Sequence, residues 1–129
     1  MICKIFVRLA TILLACFAVT RTQAGGNYDL GARDTGIKLG QTMPYSGPAS
    51  AYSAIARAEV AYFRMLNEKG GINGRKVDLI SLDDAYSPPK TVEQVRRLAE
   101  SDEVLAMFSI LGTGPNLAVA HPATADSPI

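Results

Sequence analysis

VLAMFSILGTGPNLAV, residues 104–119, sets an apolar run against a short polar loop and then turns apolar again. The first part, Val104 to Leu111, reads as a buried strand. The last part reads as a helix beginning near Pro115, whose fixed φ and missing N–H suit a first helical turn. Between them, Gly112, Thr113 and Gly114 stand where backbone N–H groups and a hydroxyl can point at an anion. A phosphate, a carboxylate or nothing at all are the three occupants this loop allows.

Working outward, the same strand-then-helix pattern recurs twice upstream. Ile37-Lys-Leu-Gly-Gln-Thr-Met43 predicts a first strand, stopped by Pro44-Tyr45-Ser46-Gly47-Pro48. A helix follows, with apolar or small residues at Ala51, Ala54, Ile55, Ala58, Ala61, Tyr62, Met65 and Leu66, the spacing of one helix face. On this reading Tyr62 belongs to the core, while Tyr52 starts the helix. Gly70 and Gly71 end it. Asn73-Gly74 makes a tight turn into a second strand, Lys76 to Leu82, leading to Asp83-Asp84. Ser87 before Pro88 marks the next helix start, and Val92, Val95, Leu98 and Ala99 form its apolar face. The third helix is expected to stop before Pro122.

The order β, α, β, α, β, α predicts an α/β fold, a parallel sheet with right-handed crossovers and flanking helices. Ligands bind such sheets beyond the carboxyl ends of the strands. Three loops meet there: Pro44 to Tyr52, Asp83 to Pro88, and Gly112 to Asn116. Each carries hydroxyl or glycine residues, and none carries an unpaired lysine or a histidine. That composition favours recognition over catalysis.

Composition narrows the classes further. The chain has 129 residues, 48% hydrophobic and 19% charged, which suits a globular protein. Residues 1–24 differ: Lys4 and Arg8 precede the apolar run Leu9 to Val19, and Thr22-Gln23-Ala24 offers small residues at the two positions a signal peptidase reads. This stretch is read as an export signal, since the apolar run is about half the ~20 residues needed to span a bilayer. Leu13-Leu14-Ala15-Cys16 loosely resembles a lipoprotein signal, a pattern that the bulky Leu14 fits poorly. Residues 25–36 read as a flexible, glycine-rich lead-in. Cleavage after residue 24 removes Lys4, Arg8 and Arg21, so the 13 Lys and Arg fall to 10 while all 12 acidic residues remain, a net charge of about −2. No basic stripe is left to grip nucleic acid. Both cysteines, Cys3 and Cys16, lie in the signal, so the mature chain has no disulfide, thiol nucleophile or cysteine metal site.

Three strings, Ile37-Lys-Leu-Gly-Gln-Thr-Met-Pro-Tyr-Ser-Gly-Pro48, Gly70-Gly-Ile-Asn-Gly-Arg75 and Asp83-Asp84-Ala-Tyr-Ser-Pro-Pro-Lys90, together with Leu111-Gly-Thr-Gly114, resemble the amino-terminal lobe of the periplasmic substrate-binding proteins of ABC transporters, in the branched-chain amino acid (leucine-binding-protein-like) group with the type I periplasmic fold. The resemblance covers residues 37 to about 121. It implies a partial lobe at 37–129, one of two α/β lobes that close over a small amino acid or related amide and hand it to a membrane permease, with no cofactor and no enzymatic step. In that family the loop after the third strand holds the ligand carboxylate, which maps onto Gly112 and Thr113. The first loop lines the cleft wall, here Tyr45, Ser46 and Tyr52, and Tyr86 is the candidate from the second loop. The family runs to several hundred residues, so this chain is read as a fragment or a truncated product, ending about where a fourth strand would start. A periplasmic location follows from the same likeness.

The Gly112 loop lacks the Gly-Lys-Ser/Thr ending of a P-loop and the three-glycine spacing of a dinucleotide fingerprint, so its chemistry suits a carboxylate. Asp83 and Asp84 could be a metal or acid–base pair, but neighbouring residues at a strand end point to opposite sides, which favours loop bonding. His121, the one histidine, has no companion ligand, and Arg96-Arg97 reads as a solvated face. Three alternative functions remain: a sensory or amidase-regulator domain on the same fold, an enzyme whose nucleophile or metal set lies beyond residue 129, or a fragment without activity.

Overall fold

The computed structural model describes residues 26–120. The export signal, His121 and the helix stop before Pro122 lie outside the described residues. Strands β1 (Ala32–Arg33), β2 (Gly36–Met43), β3 (Lys76–Asp83) and β4 (Ala106–Ile110) form one sheet, and helices α1 (Ser53–Glu68), α2 (Pro88–Glu100) and α3 (Thr113–Ala120) connect or follow them. A 3-10 turn, Ser50–Tyr52, leads into α1. The α/β fold with a parallel sheet and flanking helices is as the sequence predicts.

β2 is the central strand. Along one edge it pairs in parallel with β3 from Gly36↔Lys76 to Met43↔Asp83. Along the other it pairs first with β1, antiparallel, and then in parallel with β4 from Leu39↔Ala106. Part of the glycine-rich lead-in is thus ordered into a hairpin, with the Lys38 N–H donating to Gly31 O at 2.7 Å. In β4 the register passes from Gly40↔Met107 to Gln41↔Ser109, and the bulge leaves Phe108 unpaired.

Successive residues of β2 point to opposite faces, which identifies what covers each. The Gln41 amide donates to Glu59 of α1, so α1 lies on that face. A Cβ on Gly40 would point at Leu98 of α2, Val104 and Met107, so α2 lies on the other. α2 packs against α3 on that same side. Going from β2 to β3 and back across to β4, the chain reverses direction within the sheet, and the reversal lies beside β2.

The α1 core differs from the expected stripe. Its buried line is Ser53, Ala56 and Phe63, with Val60 and Asn67 half-buried, whereas Ile55, Tyr62 and Met65 are exposed. Tyr62, expected in the core, is 55% exposed, and Phe63 replaces it at 9%. The helix carries apolar residues on two adjoining stripes, and periodicity alone does not choose between them. Phe63 wins because its ring meets Phe108 edge to face, 5.2 Å between centroids. On α2, Leu98 is buried as expected, joined by Thr91, while Val92 and Val95 are half-buried and Ala99 is exposed.

Asn73-Gly74 forms the tight turn, both residues having positive φ, 52° and 80°, with Ile72 and Arg75 exchanging backbone hydrogen bonds. Asn67, at the end of α1, closes the outer edge of β3: its Nδ2 donates to Val77 O at 2.7 Å and its Oδ1 accepts from Val77 N–H at 2.8 Å. One side chain thereby stands in for a neighbouring strand at that position. Among the described residues no helix is long and apolar enough to cross a membrane.

Candidate functional site

The loops that follow β2, β3 and β4 all leave from the carboxyl ends of parallel strands, so the topology brings them together. The strand order reverses beside β2, between the first and third of these loops, the place where sheets of this kind bind ligands. Contacts tie the three loops to one another. A Cβ on Gly47 would lie 3.1 Å from Ala85 O, joining the first and second loops, and a Cβ on Gly112 would lie 2.4 Å from the Tyr86 ring, joining the second and third.

In the third loop, Gly112 has φ +101°, a left-handed conformation that only glycine adopts without strain. α3 starts at Thr113, two residues ahead of the expected Pro115, because the Asn116 N–H already donates to Gly112 O at 3.1 Å. The Asn116 side chain locks this turn, its Nδ2 donating to Ile110 O at 2.8 Å and Gly112 O at 2.7 Å. Pro115 has no N–H, and the Thr113 and Gly114 N–H groups precede the first intrahelical bond. Thr113 is exposed, and its hydroxyl has no hydrogen-bond partner among the described residues. A shallow hollow runs along this end of α3, lined by Gly112, Thr113, Asn116, Leu117 and Ala120. Tyr45, Ser46, Tyr52 and Tyr86 do not line it.

The first loop is held from below. The Asp83 carboxylate accepts at Oδ1 from the N–H groups of Tyr45 at 2.9 Å, Ser46 at 3.1 Å and Ala85 at 3.0 Å. At Oδ2 it accepts from the Ser46 hydroxyl at 2.6 Å and the Lys90 ammonium at 3.1 Å. Partial burial pushes this carboxyl up. The bonds from Ser46, Ala85 and Lys90 outweigh that and hold it well below the usual carboxylate range. The Tyr45 hydroxyl shares a 2.6 Å hydrogen bond with Ser81 Oγ, so it is turned towards β3. Tyr52 stands 56% exposed in the 3-10 turn with no side-chain hydrogen bond among the described residues.

In the second loop, Asp84 is fully buried, accepting from the Tyr86 N–H at 2.9 Å and from the Thr91 hydroxyl at 3.0 Å. These bonds hold Ala85 and Tyr86 at φ 50° and 61° and leave the Tyr86 ring lying over Gly112. Asp83 and Asp84 thus bind loops, as their adjacency suggested. Sequence reasoning missed Lys90 and Asn116, whose partners lie a helical turn or more away. Among the described residues no group of three His, Cys, Asp or Glu side chains gathers as a metal site requires.

Comparison with known proteins agrees with this fold. Residues 36–127 match the family model described as periplasmic binding protein. The chemotactic signal transduction system substrate-binding protein BasB of Halobacterium salinarum is 31% identical over 94 residues, 70% of this chain and 23% of that protein. A substrate-binding periplasmic protein from Ralstonia solanacearum is similar in structure, with TM-score 0.63 and 33% identity over 67% of this chain and 25% of that one. A possible leucine/isoleucine/valine-binding protein from Rhodopirellula baltica gives TM-score 0.60 and 28% identity over 73% and 25%. The chain spans about a quarter of the length of each of these relatives. A parallel sheet with its three loops joined at the carboxyl end, and a family match over most of the chain, lead to one conclusion: this chain belongs to the periplasmic binding protein family.

Proposed function

We propose that this chain is part of the amino-terminal lobe of an extracytoplasmic solute-binding protein that captures a small amino acid or related amide for an ABC transporter permease, after export on the signal at residues 1–24. The observation that carries the reading is the third loop: an exposed hydroxyl on Thr113 beside two N–H groups at the amino terminus of α3. Such donors suit a carboxylate, which gains from charge-assisted hydrogen bonds and from the positive end of the helix dipole. Gly112 and Thr113 are the carboxylate-holding residues on this reading, with Tyr45, Ser46, Tyr52 and Tyr86 around the mouth. The activity is binding, with no covalent step, no cofactor and no nucleic acid.

A leucine/isoleucine/valine-binding name on one structural relative supports the amino acid class. The name of the Halobacterium relative favours a second reading, in which the same site feeds a signalling receptor. Calorimetric titration of the full-length protein with the twenty L-amino acids and small amides tests the ligand class. Affinity capture of its membrane partner then separates a permease from a receptor.

A further inference from the structure

Asp83 lies at the end of β3, and its carboxylate is the point where the first loop is fastened to the second. Its Oδ1 gathers three backbone N–H groups, two from the first loop and one from the second. Its Oδ2 takes the Ser46 hydroxyl and the Lys90 ammonium, which fixes the carboxylate plane and balances its charge. Without this acceptor, Ser46 loses both of its hydrogen bonds, and Tyr45 N–H keeps only Met43 O, two residues behind it. Gly47, at φ +78°, then rests on Ala85 by contact alone.

We propose that Asp83 is the positioning residue of the cleft mouth: it fixes Tyr45 and Ser46 against the second loop and so sets ligand affinity while touching no ligand itself. The affinity part rests on the function proposed above; the loop-fastening part does not. Lys90 supports the carboxylate from α2, so the placement of the first loop is coupled to that helix through one ion pair.

The test uses the full-length protein and three variants, Asp83→Ala, Asp83→Asn and Lys90→Met, with amide hydrogen exchange by NMR and titration with L-leucine, L-isoleucine and L-valine. In Asp83→Ala the Tyr45 and Ser46 amides should exchange tenfold faster or more, while Gln41 and Thr42 in the strand keep the parent rate. Asp83→Asn should restore most of that protection, because an amide oxygen can take the place of Oδ1. A purely structural lesion would not be rescued in this way. Binding should weaken tenfold or more in Asp83→Ala and recover partly in Asp83→Asn. Unchanged exchange at Tyr45 and Ser46, or parent-like binding in Asp83→Ala, overturns the proposal. If the unsubstituted protein binds none of the three probes, a branched-chain ligand is ruled out for the proposed site, and the exchange rates alone decide whether Asp83 fastens the loop.

Discussion

The Tyr86 ring lies directly against Gly112, so close that a Cβ on Gly112 would sit 2.4 Å from the ring. Two loops that are 26 positions apart in the chain are therefore packed on each other beyond the carboxyl ends of β3 and β4. Glycine is required at 112 twice over, by this contact and by its φ of +101°.

Gly112→Ala should destabilise the protein by about 2 to 4 kcal/mol, combining left-handed strain with overpacking. In a Tyr86→Ala background the same substitution should cost about 1 to 2 kcal/mol, because only the backbone strain is left. Urea denaturation of the four proteins in a double-mutant cycle checks this.

Phe63 and Tyr62 are adjacent aromatics with opposite fates. Phe63→Ala should cost about 3 to 5 kcal/mol, whereas Tyr62→Ala should change stability by about 0.5 kcal/mol or less. A larger loss for Tyr62→Ala than for Phe63→Ala in a thermal melt would mean that the expected stripe, with Tyr62 inward, is the buried one.

How far the sequence carries is visible at these residues. The alternation of strands and helices is written in local patterns: apolar runs, Pro88 at a helix start, Gly70-Gly71 at a helix end. The convergence of the three loops follows from that alternation, since parallel strands all end on one side. The buried face of α1 was not legible, because Ala56, Val60 and Phe63 run beside a second stripe, Ile55, Ala58 and Tyr62, of similar character. The choice is made by Phe108, 45 positions away, and by the bulge that leaves it unpaired. The Asp83 clamp is hidden for the same reason. Asp83 was legible as a loop-bonding residue, but its partners Tyr45 and Ser46 lie 38 and 37 positions upstream, and only the parallel pairing of β2 with β3 brings them together. Ser46 was expected in the cleft wall; its hydroxyl is bonded to Asp83.

The lowered Asp83 carboxyl has a consequence for pH. Its pKa is depressed in the folded state, so its contribution to stability is present above the unfolded value of about 4 and disappears as pH falls towards the folded value. Acid titration of stability should therefore be shallower below about pH 4 in Asp83→Asn than in the parent, with the two curves parallel near neutrality. Parallel curves throughout would mean that Asp83 is not held by these bonds.

Asn67 supplies both a donor and an acceptor to Val77 on the outer edge of β3. Asn67→Ala leaves that half-buried N–H and C=O without their side-chain partner and should cost about 1 to 3 kcal/mol. Guanidinium unfolding measures it, with Lys69→Ala on the exposed end of the same helix as the control expected to stay within about 0.5 kcal/mol.

The central claim is that the loop between β4 and α3 grips a carboxylate through Thr113. Isothermal titration of the full-length protein across the L-amino acids, with and without Thr113→Ala, tests it most directly. The account predicts that at least one amino acid binds the parent and that Thr113→Ala weakens it by about 1 to 3 kcal/mol, as for loss of a hydrogen bond to a charged group. Binding of the same amino acid with unchanged affinity in Thr113→Ala would contradict it.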